Sequence, residues 1–269
     1  MKRVLSAALL VAAVFVITRY LPPGVFLGMI VLLTVLCVWE FGCLVVRRGH
    51  RVYLVATAAA AVWLVSGPIA PDGMLAAPLT AIILMLCAVA ISRREPPDER
   101  VVDLALSVFA ALFFGLLLRH VMALRGLAGQ DGHDLPFLLL FVVAAADTGA
   151  FYVGRRVGRH PLAPALSPKK TVEGLAAGTV CAVLAALTAR VWFIHRLRLV
   201  DCVAIGILLA LVGALGDLVE SLIKRWAGAK DSSSLIPGHG GVLDRVDALL
   251  FAAPVLFYYH QVFMGRAGG

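Results

Sequence analysis

Residues 199–224 read LVDCVAIGILLALVGALGDLVESLIK, a long apolar run in which polar residues gather over the last two turns. A helix of about 20 apolar residues is long enough to cross the hydrocarbon core of a bilayer. The polar residues follow one another at spacings of three and four, which places Asp217, Glu220, Ser221 and Lys224 in one stripe on a helix. Lipid does not tolerate such a stripe, so we expect it to face protein or water.

Comparable apolar runs occupy most of the rest of the chain. Of its 269 residues, 61% are hydrophobic and 15% are charged, whereas a soluble domain averages roughly 45–50% apolar and about 25% charged residues. The sequence therefore predicts an all-α protein, a polytopic transmembrane helix bundle that forms a single integral membrane domain over residues 1–269. The predicted spans, about nine in number, are residues 4–20, 24–46, 52–66, 73–91, 101–124, 135–154, 172–191, 199–223 and 243–264.

The basic residues predict the orientation of these spans. Cytoplasmic loops of membrane proteins carry an excess of Lys and Arg. With the N-terminus in the cytoplasm, most of the 24 Lys and Arg residues fall in segments on the cytoplasmic side. This arrangement also places the two most polar loops, residues 155–171 and 224–242, on that side of the membrane, where nucleotides are available.

The net charge of +8 raises the question of a nucleic-acid partner. The charges lie in short loops between apolar runs, which is typical of topology control and of contact with anionic lipid headgroups. We therefore expect membrane lipids as partners and no nucleic acid. The five cysteines are scattered without a CxxC pair, so neither a disulfide framework nor a zinc site is predicted.

Acidic residues inside apolar runs are functional candidates, because a charge within a membrane span is costly unless it is paired. Such acids end the sixth run, interrupt the eighth and open the ninth, and they are Asp147, Asp217, Glu220, Asp244 and Asp247. On helices, Asp147 and Asp217 both lie about 10–12 Å from the cytoplasmic loops. Converging carboxylates repel one another unless a cation lies among them, and hard oxygen ligands suit Mg²⁺. Interhelical salt bridges, such as Asp217 with Lys224 or Asp244 with Arg245, are the structural alternative.

Both polar loops carry groups that suit phosphate. Hydroxyls and ammonium groups precede a predicted helix in the first loop, at Ser167, Lys169, Lys170 and Thr171, and Glu173 follows them. A helix N-terminus with such groups binds phosphate well, although Thr171 can equally be an N-cap and the lysines topology signals. The second loop contains the glycines of PGHGG, residues 237–241, which allow close approach of the backbone to a phosphate chain.

The resemblance to a known family begins at the second loop. Residues 221–247, SLIKRWAGAKDSSSLIPGHGGVLDRVD, resemble the signature of the phosphatidate cytidylyltransferases in order and spacing. The segments 147–154, 167–174 and 216–220 are also similar to that family, and Trp39-Glu40-Phe41 resembles it more weakly. Ser233 and Val172 depart from the family pattern, since many members have glycine and tryptophan there. The likeness divides the domain into divergent N-terminal spans, residues 1–134, and catalytic spans, residues 135–264.

The resemblance implies that CMP is transferred from CTP to phosphatidic acid, giving CDP-diacylglycerol and pyrophosphate in phospholipid biosynthesis. It implies Mg²⁺ as cofactor and leaves open a second, monovalent cation. It further implies a bacterial inner membrane protein whose active site, built mainly from residues 147–173 and 217–247, faces the cytoplasm. Gly and Ala residues in the spans permit close helix contacts, which leaves a homodimer open.

The resemblance also assigns roles to individual residues. The predicted catalytic residues are Asp217, Ser221, Lys224, Arg225, Lys230, Asp231, His239, Asp244 and Arg245. The residues expected to bind substrate are Ser167, Lys169, Lys170, Thr171, Glu173, Lys224, Arg225, Lys230 and Arg245. The expected metal ligands are Asp217, Asp231 and Asp244, followed by Asp147, Glu220 and Asp247.

Three other functions are compatible with parts of this pattern. A sister enzyme could transfer CMP to another lipid phosphate, because its cytoplasmic loops would look much alike. An ion-coupled transporter would also carry acids within its spans, but the sequence has no inverted repeat and its acids lie near one face. A silent membrane scaffold would be free to lose the charged positions that this chain retains.

Overall fold

The structure is a computed structural model that describes residues 22–67, 75–233, 235 and 240–264. The predicted first span, 4–20, and the predicted catalytic residue His239 lie outside the described residues. The chain divides into two compact units. The first unit comprises Met1–Phe26, Ala123–Leu222 and Asp247–Gly269, and the second comprises Leu27–Met122 and Ile223–Val246.

Long helices dominate both units, and each begins and ends within a few residues of a predicted apolar run. The helices are α1 (Pro23–Val46), α2 (Leu54–Ser66), α3 (Ala76–Ser92), α4 (Pro97–Arg125), α5 (Asp131–Val157), α6 (Val172–Trp192), α7 (Leu199–Trp226) and α8 (Leu243–Tyr259), and a π-helical turn, His260–Met264, continues α8. Within the described ranges, six helices are long and apolar enough to cross a membrane: α1, α4, α5, α6, α7 and α8 with its π-helical turn. The prediction of a polytopic helical membrane protein is therefore confirmed.

Two of the predicted spans, α2 and α3, are not among these six helices. They contain 13 and 17 residues, and at 1.5 Å per residue α2 measures about 20 Å, less than the roughly 30 Å of a hydrocarbon core. Apolar side chains of both helices pack together with α4, and the buried members of this core are Ala60, Leu64, Ile82, Leu86 and Ala111. The number of full spans stays a prediction.

The start of α2 and the end of α3 lie side by side in the second unit. The Arg51 guanidinium is 3.3 Å from the Glu95 carboxylate, and the Arg93 guanidinium stacks over the Tyr53 ring at 5.6 Å from its centroid. Helices α2 and α3 thus form a hairpin whose two open ends share one level. The chain therefore enters and leaves this hairpin on the same side, whatever depth the hairpin reaches.

In the first unit, α5 and α6 pack closely and are joined by a short β-hairpin. Strand β1 (Pro161–Ala163) pairs antiparallel with β2 (Ser167–Thr171), with Pro161 opposite Thr171 and Ala163 opposite Ser167. The sequence predicted only a loop over residues 155–171. Gly178 of α6 allows the close helix contact, because a Cβ there would lie 2.7 Å from the Ala146 carbonyl oxygen of α5.

Candidate active site

Three acidic side chains from two helices converge in the first unit. Asp217 and Glu220 lie one turn apart on α7, and Asp247 lies in the first turns of α8. Each offers a carboxylate oxygen, and these oxygens lie within 4.8 Å of one another. Glu220 is buried, whereas Asp217 and Asp247 are half-buried. We call these three residues the carboxylate cluster.

A close approach of backbones brings the cluster together. A Cβ placed on Gly216 would lie 2.5 Å from the Asp247 carbonyl oxygen and 2.9 Å from the Phe251 ring. Only a residue without a side chain allows α7 to pass so near the start of α8. Gly216 immediately precedes Asp217, so the same contact sets the separation between the Asp217 and Asp247 carboxylates.

Two further charged side chains belong to this region of the first unit. The Lys170 ammonium, on β2, forms a salt bridge with the Asp217 carboxylate. Asp147, on α5, interacts electrostatically with Asp217 and Lys170, although it is not a member of the carboxylate cluster. The β-hairpin thus delivers an ammonium group, and α5 a further carboxylate, to the acids of α7 and α8.

The donor atoms of the cluster fit a hard divalent cation. Mg²⁺ takes oxygen ligands at 2.0–2.1 Å in octahedral geometry, so two of its ligand oxygens are about 3 Å apart when adjacent and about 4 Å apart when opposite. The observed limit of 4.8 Å between the carboxylate oxygens exceeds the opposite separation by less than about 1 Å and the adjacent separation by about 1.8 Å. The three residues can therefore share one ion if side-chain rotation closes gaps of up to about 1.8 Å between their oxygens.

Two residues with a predicted role in substrate binding make local contacts at the hairpin. The Thr171 hydroxyl accepts a hydrogen bond from the Gly174 amide at 3.1 Å, so Thr171 is the N-cap of α6. The Glu173 carboxylate accepts hydrogen bonds from the backbone amides of Arg159 and His160 and lies 2.5 Å from the His160 ring Nδ1. Both side chains hold the turn and the strand that carry Lys170.

The second unit contains a different pair of predicted site residues. The Lys224 ammonium, near the end of α7, is 2.6 Å from Oδ1 of Asp244 in the first turn of α8. Oδ2 of Asp244 accepts hydrogen bonds from the backbone amides of Ser232 and Gly241, at 3.0 and 2.8 Å. The Ser232 hydroxyl is also 3.0 Å from Oδ2. Lys224 and the loop that follows α7 thus surround the Asp244 carboxylate with donors.

The end of α7 is fixed by a glycine cap. Gly228 has a φ of 65°, a left-handed conformation that glycine adopts without strain. The following Ala229 amide donates to the Lys224 carbonyl oxygen at 2.8 Å, and the Arg225 guanidinium donates to the Ala229 carbonyl oxygen at 3.2 Å. The Arg48 guanidinium donates to the Trp226 carbonyl oxygen.

The remaining predicted site residues are distributed over both units. Ser221 is buried on α7 of the first unit, and Ser167 is half-buried on β2. Four charged residues with a predicted role in binding or catalysis are exposed, and they are Lys169, Arg225, Lys230 and Arg245. Asp231 is exposed in the loop after α7, near Gly240. The structure pairs Asp217 with Lys170 and Asp244 with Lys224.

Sequence reasoning left Glu40, a buried acid, out of the predicted site. Glu40 lies on α1 with 0% exposure, and its carboxylate accepts hydrogen bonds from residues about 200 positions further along the chain. The signal was available, because an acid within an apolar run is a functional candidate by default. The weak family likeness of residues 39–41 pointed to the same residue.

Comparisons with known proteins agree with the resemblance noted in the sequence. Residues 1–263 match the sequence model of a family described as the cytidylyltransferase family. A phosphatidate cytidylyltransferase of Bacillus subtilis (strain 168) is 38% identical over 154 residues, which cover 57% of each chain. One from Staphylococcus saprophyticus is 38% identical over 154 residues, 57% of this chain and 58% of the relative.

A third relative provides a similar match. A phosphatidate cytidylyltransferase of Mycobacterium tuberculosis (strain ATCC 25618 / H37Rv) is 36% identical over 157 residues, which cover 58% of this chain and 47% of the relative. In each of these pairs the match spans about half the length of the curated relative.

Proposed function

Because the chain belongs to the cytidylyltransferase family, we propose that it transfers CMP from CTP to phosphatidic acid, with CDP-diacylglycerol and pyrophosphate as products. The phosphatidate cytidylyltransferases of several bacteria are similar to it over more than half of its length. The proposal includes CTP and phosphatidic acid as partners and a place in phospholipid biosynthesis.

The observation that carries this proposal is the carboxylate cluster with its neighbouring ammonium group. Asp217, Glu220 and Asp247 bring their oxygens within 4.8 Å of one another on helices long enough to span a membrane. Lys170 forms a salt bridge with Asp217 in the same unit. A cation site beside a basic group suits a reaction between a nucleoside triphosphate and a phosphate that is attached to a membrane lipid.

The proposed reaction is a single displacement at phosphorus. An oxygen of the phosphatidate phosphate forms a bond with the α-phosphorus of CTP. The bond between that phosphorus and the bridging oxygen to the β-phosphate breaks, and pyrophosphate leaves with the electron pair. The attacking oxygen is already anionic, so the chain has to position and stabilise charge and no strong general base is required.

Each charged residue of the candidate site in the first unit then has a definite role. We propose that Asp217, Glu220 and Asp247 hold Mg²⁺ and that Asp147 adds negative charge nearby. When bound, Mg²⁺ supplies Lewis-acid stabilisation of the phosphate oxygens. Lys170 binds a phosphate oxygen of the substrate, in exchange for part of its contact with Asp217.

The second unit supplies most of the predicted cationic groups. Lys224 is held by Asp244, exposed Lys230 lies in the loop that joins α7 to α8, and exposed Arg245 lies in the first turn of α8. We propose that these three residues bind phosphate oxygens of CTP or of the lipid headgroup. The earlier assignment of Asp231 and Asp244 as metal ligands stays a prediction, as do a second, monovalent cation and the roles of Arg225 and His239.

The reaction is tested with purified protein in detergent. CTP and phosphatidic acid are supplied with and without Mg²⁺, and both pyrophosphate and the CDP-lipid are followed. Formation of both products in equal amounts, only with Mg²⁺, is the expected result. If folded protein gives no product with phosphatidic acid, other lipid phosphates are tried as acceptors, because a sister enzyme would use one of them. Cation uptake into proteoliposomes without CTP would favour the transporter instead.

Metal binding has a readout that does not depend on turnover. A ligand that binds only the folded state raises stability by about 2.7 kcal/mol when its concentration is a hundred times its Kd. We expect Mg²⁺ to raise the midpoint of thermal unfolding of the wild-type protein by several degrees and to leave that of Asp217→Asn almost unchanged. An equal rise in both proteins would place the metal elsewhere.

The membrane arrangement is also a proposal. We propose that the N-terminus lies in the cytoplasm of a bacterial cell, that the protein resides in the inner membrane, and that the carboxylate cluster faces the cytoplasm. The excess of Lys and Arg in the segments placed in the cytoplasm supports this orientation. Because the open ends of the α2–α3 hairpin share one level, the direction of α4 does not depend on how deep the hairpin reaches. Reporter fusions after Gly129 and Gly158 should report the periplasm and the cytoplasm, respectively, and the reverse result would invert the orientation. A homodimer stays a prediction, which crosslinking of the protein in membranes can test.

A further inference from the structure

The Glu40 carboxylate is surrounded by hydrogen-bond donors in the second unit. Oε1 accepts from the Ser233 hydroxyl at 2.6 Å and the Val242 amide at 2.8 Å. Oε2 accepts from the Ser232 hydroxyl and the Leu243 amide, both at 2.8 Å. Two donors on each oxygen fill the acceptor capacity of an ionised carboxylate. A buried carboxylate is tolerated when such donors replace its hydration.

Two of these donors belong to the start of a helix. Helix α8 begins at Leu243, and the first amides of a helix have no partner within it. Glu40, from α1, accepts at this N-terminus, where the helix dipole also favours negative charge. It therefore does for α8 what an N-cap side chain normally does from the adjacent loop.

The same contacts bind the two flanks of the loop that joins α7 to α8. Ser232 and Ser233 come from one flank, and Val242 and Leu243 come from the other. Asp244 tightens the arrangement, because its Oδ2 accepts from the Ser232 and Gly241 amides while Oδ1 contacts Lys224.

Gly241 leaves room for this arrangement. A Cβ at Gly241 would lie 2.5 and 2.6 Å from the two Glu40 oxygens and would also overlap the Ser232 hydroxyl. The backbone of the loop thus passes directly over the carboxylate. A side chain at this position would separate the loop from α1.

We propose that Glu40 is a positioning residue, which ties both flanks of the loop to α1 and thereby fixes Asp244 and its partner Lys224. The proposal rests on the proposed function for its kinetic consequence, since Lys224 is there a phosphate-binding group. Its structural consequence, the fixed position of the loop, does not depend on the proposed function. On this proposal, the divergent N-terminal half of the chain contributes to the organisation of the signature segment through Glu40.

The decisive variant is Glu40→Gln, which keeps the size of the side chain. Its amide nitrogen can only donate, so it must face an N–H group of Val242 or Leu243, and one of these hydrogen bonds is lost. Hydrogen–deuterium exchange of the purified full chain measures the amides of residues 241–245. We expect at least about tenfold faster exchange there and unchanged exchange over residues 104–118 of α4, in the same unit.

A matched control separates this effect from loss of any buried acid. Asp103 is 4% exposed, and its carboxylate accepts from the Arg51 amide at 2.8 Å, in the same unit but away from the loop. Asp103→Asn should leave the exchange of residues 241–245 at the wild-type rate. Unchanged exchange in Glu40→Gln, or equal acceleration in both variants, would overturn the proposal.

Kinetics supply the second readout. We expect Glu40→Gln to lower kcat/KM for CTP about 100-fold and Glu40→Asp, which keeps the carboxylate, to recover part of that loss. If Glu40→Gln cannot be recovered folded, Gly241→Ala tests the same contact from the loop side, with the same expected acceleration of exchange. If the wild-type protein has no cytidylyltransferase activity, the proposed function fails, and the exchange experiment still decides the role of Glu40.

Discussion

The carboxylate cluster of the first unit and the Glu40 carboxylate of the second unit are built from the same chemical group in opposite ways. Glu40 accepts one hydrogen bond from each of four protein donors. In the cluster, oxygens of Asp217, Glu220 and Asp247 lie within 4.8 Å of one another. Protein donors fill the acceptor capacity of the Glu40 carboxylate, whereas the cluster concentrates negative charge and suits a bound cation.

The contrast extends along a single helix. Asp201, at the start of α7, is 2% exposed and accepts hydrogen bonds from the Arg198 amide and guanidinium and from the Tyr259 hydroxyl, at 2.8–3.0 Å. Asp217 lies at the other end of the same helix, in the carboxylate cluster. Burial of an acid in an apolar helix thus does not identify a site. The neighbours of the carboxylate distinguish a structural acid from a candidate metal ligand.

The sharpest test of this contrast exchanges the two aspartates of α7 for asparagine. Asp217→Asn should lower turnover about 1000-fold, equivalent to about 4 kcal/mol of transition-state stabilisation. Its stability should change little, because the relief of repulsion among converging carboxylates offsets the loss of the half-exposed salt bridge with Lys170. CDP-lipid formation and thermal unfolding measure the two effects.

Asp201→Asn is the matched variant and should behave in the reverse manner. Asparagine loses the charge that attracts the Arg198 guanidinium and cannot accept from every donor around Asp201, so its unfolding midpoint should fall while the folded fraction retains turnover. Near-normal activity in Asp217→Asn would refute the assignment of the cluster as the metal site.

A smaller effect is expected from the glycine that sets the spacing of the cluster. In Gly216→Ala the new Cβ would meet the Asp247 carbonyl oxygen at 2.5 Å, so α7 and α8 must separate. Misplacement of reacting groups by about 1 Å can cost about 100-fold in rate, and we expect a loss of that order in turnover.

Gly213→Ala provides the control one turn earlier on α7. Its Cβ would lie 3.5 Å from the Ala248 side chain, an ordinary contact, and alanine is favoured over glycine within a helix by about 1 kcal/mol. This variant should be active and slightly more stable. Equal losses in both variants would mean that any side chain on this face disturbs the protein, and the spacing argument would fail.

The apolar runs predicted the helices well, because hydropathy over 20 residues is a strong signal that loop chemistry does not disturb. The run at residues 172–191 became α6, Val172–Trp192, and the run at 199–223 became α7, Leu199–Trp226. The hairpin over residues 161–171 was missed, since its strands contain three and five residues and carry no alternating pattern. The length of α2 shows that an apolar run can end short of a full span.

The site was predictable only in its parts. Helical spacing placed Asp217 and Glu220 on one face of α7, but no spacing relates either residue to Asp247 on α8 or to Lys170 on β2. Those contacts depend on the approach allowed by Gly216 and on a hairpin that was not predicted. Glu40 was harder still, because its four partners lie about 200 residues away in the sequence and only the fold brings them together.

Neighbouring lysines on β2 test whether the salt bridge with the cluster matters. Lys170 contacts Asp217, whereas Lys169 is exposed, and adjacent residues of a strand point to opposite faces. Lys170→Gln should lower kcat/KM for CTP about 30-fold, which corresponds to roughly 2 kcal/mol for a lost charged hydrogen bond. Lys169→Gln should change it less than about threefold, and equal effects would mean that only the net charge of the hairpin matters.

The smallest effect is expected from a hydroxyl group of the second unit. Ser233→Ala removes one hydrogen bond to Glu40, of 2.6 Å, and should cost about 1 kcal/mol of stability with turnover within about threefold of wild type. Ser232→Ala should cost more in both measures, because the Ser232 hydroxyl lies within 3.0 Å of both Glu40 and Asp244. Thermal unfolding and turnover of the two variants rank the contacts. If Ser233→Ala were the more damaging change, the contact between Ser232 and Asp244 would not be the important one. Glu40 would then act mainly through Ser233, and the position of Asp244 would not depend on the loop flank that contains both serines.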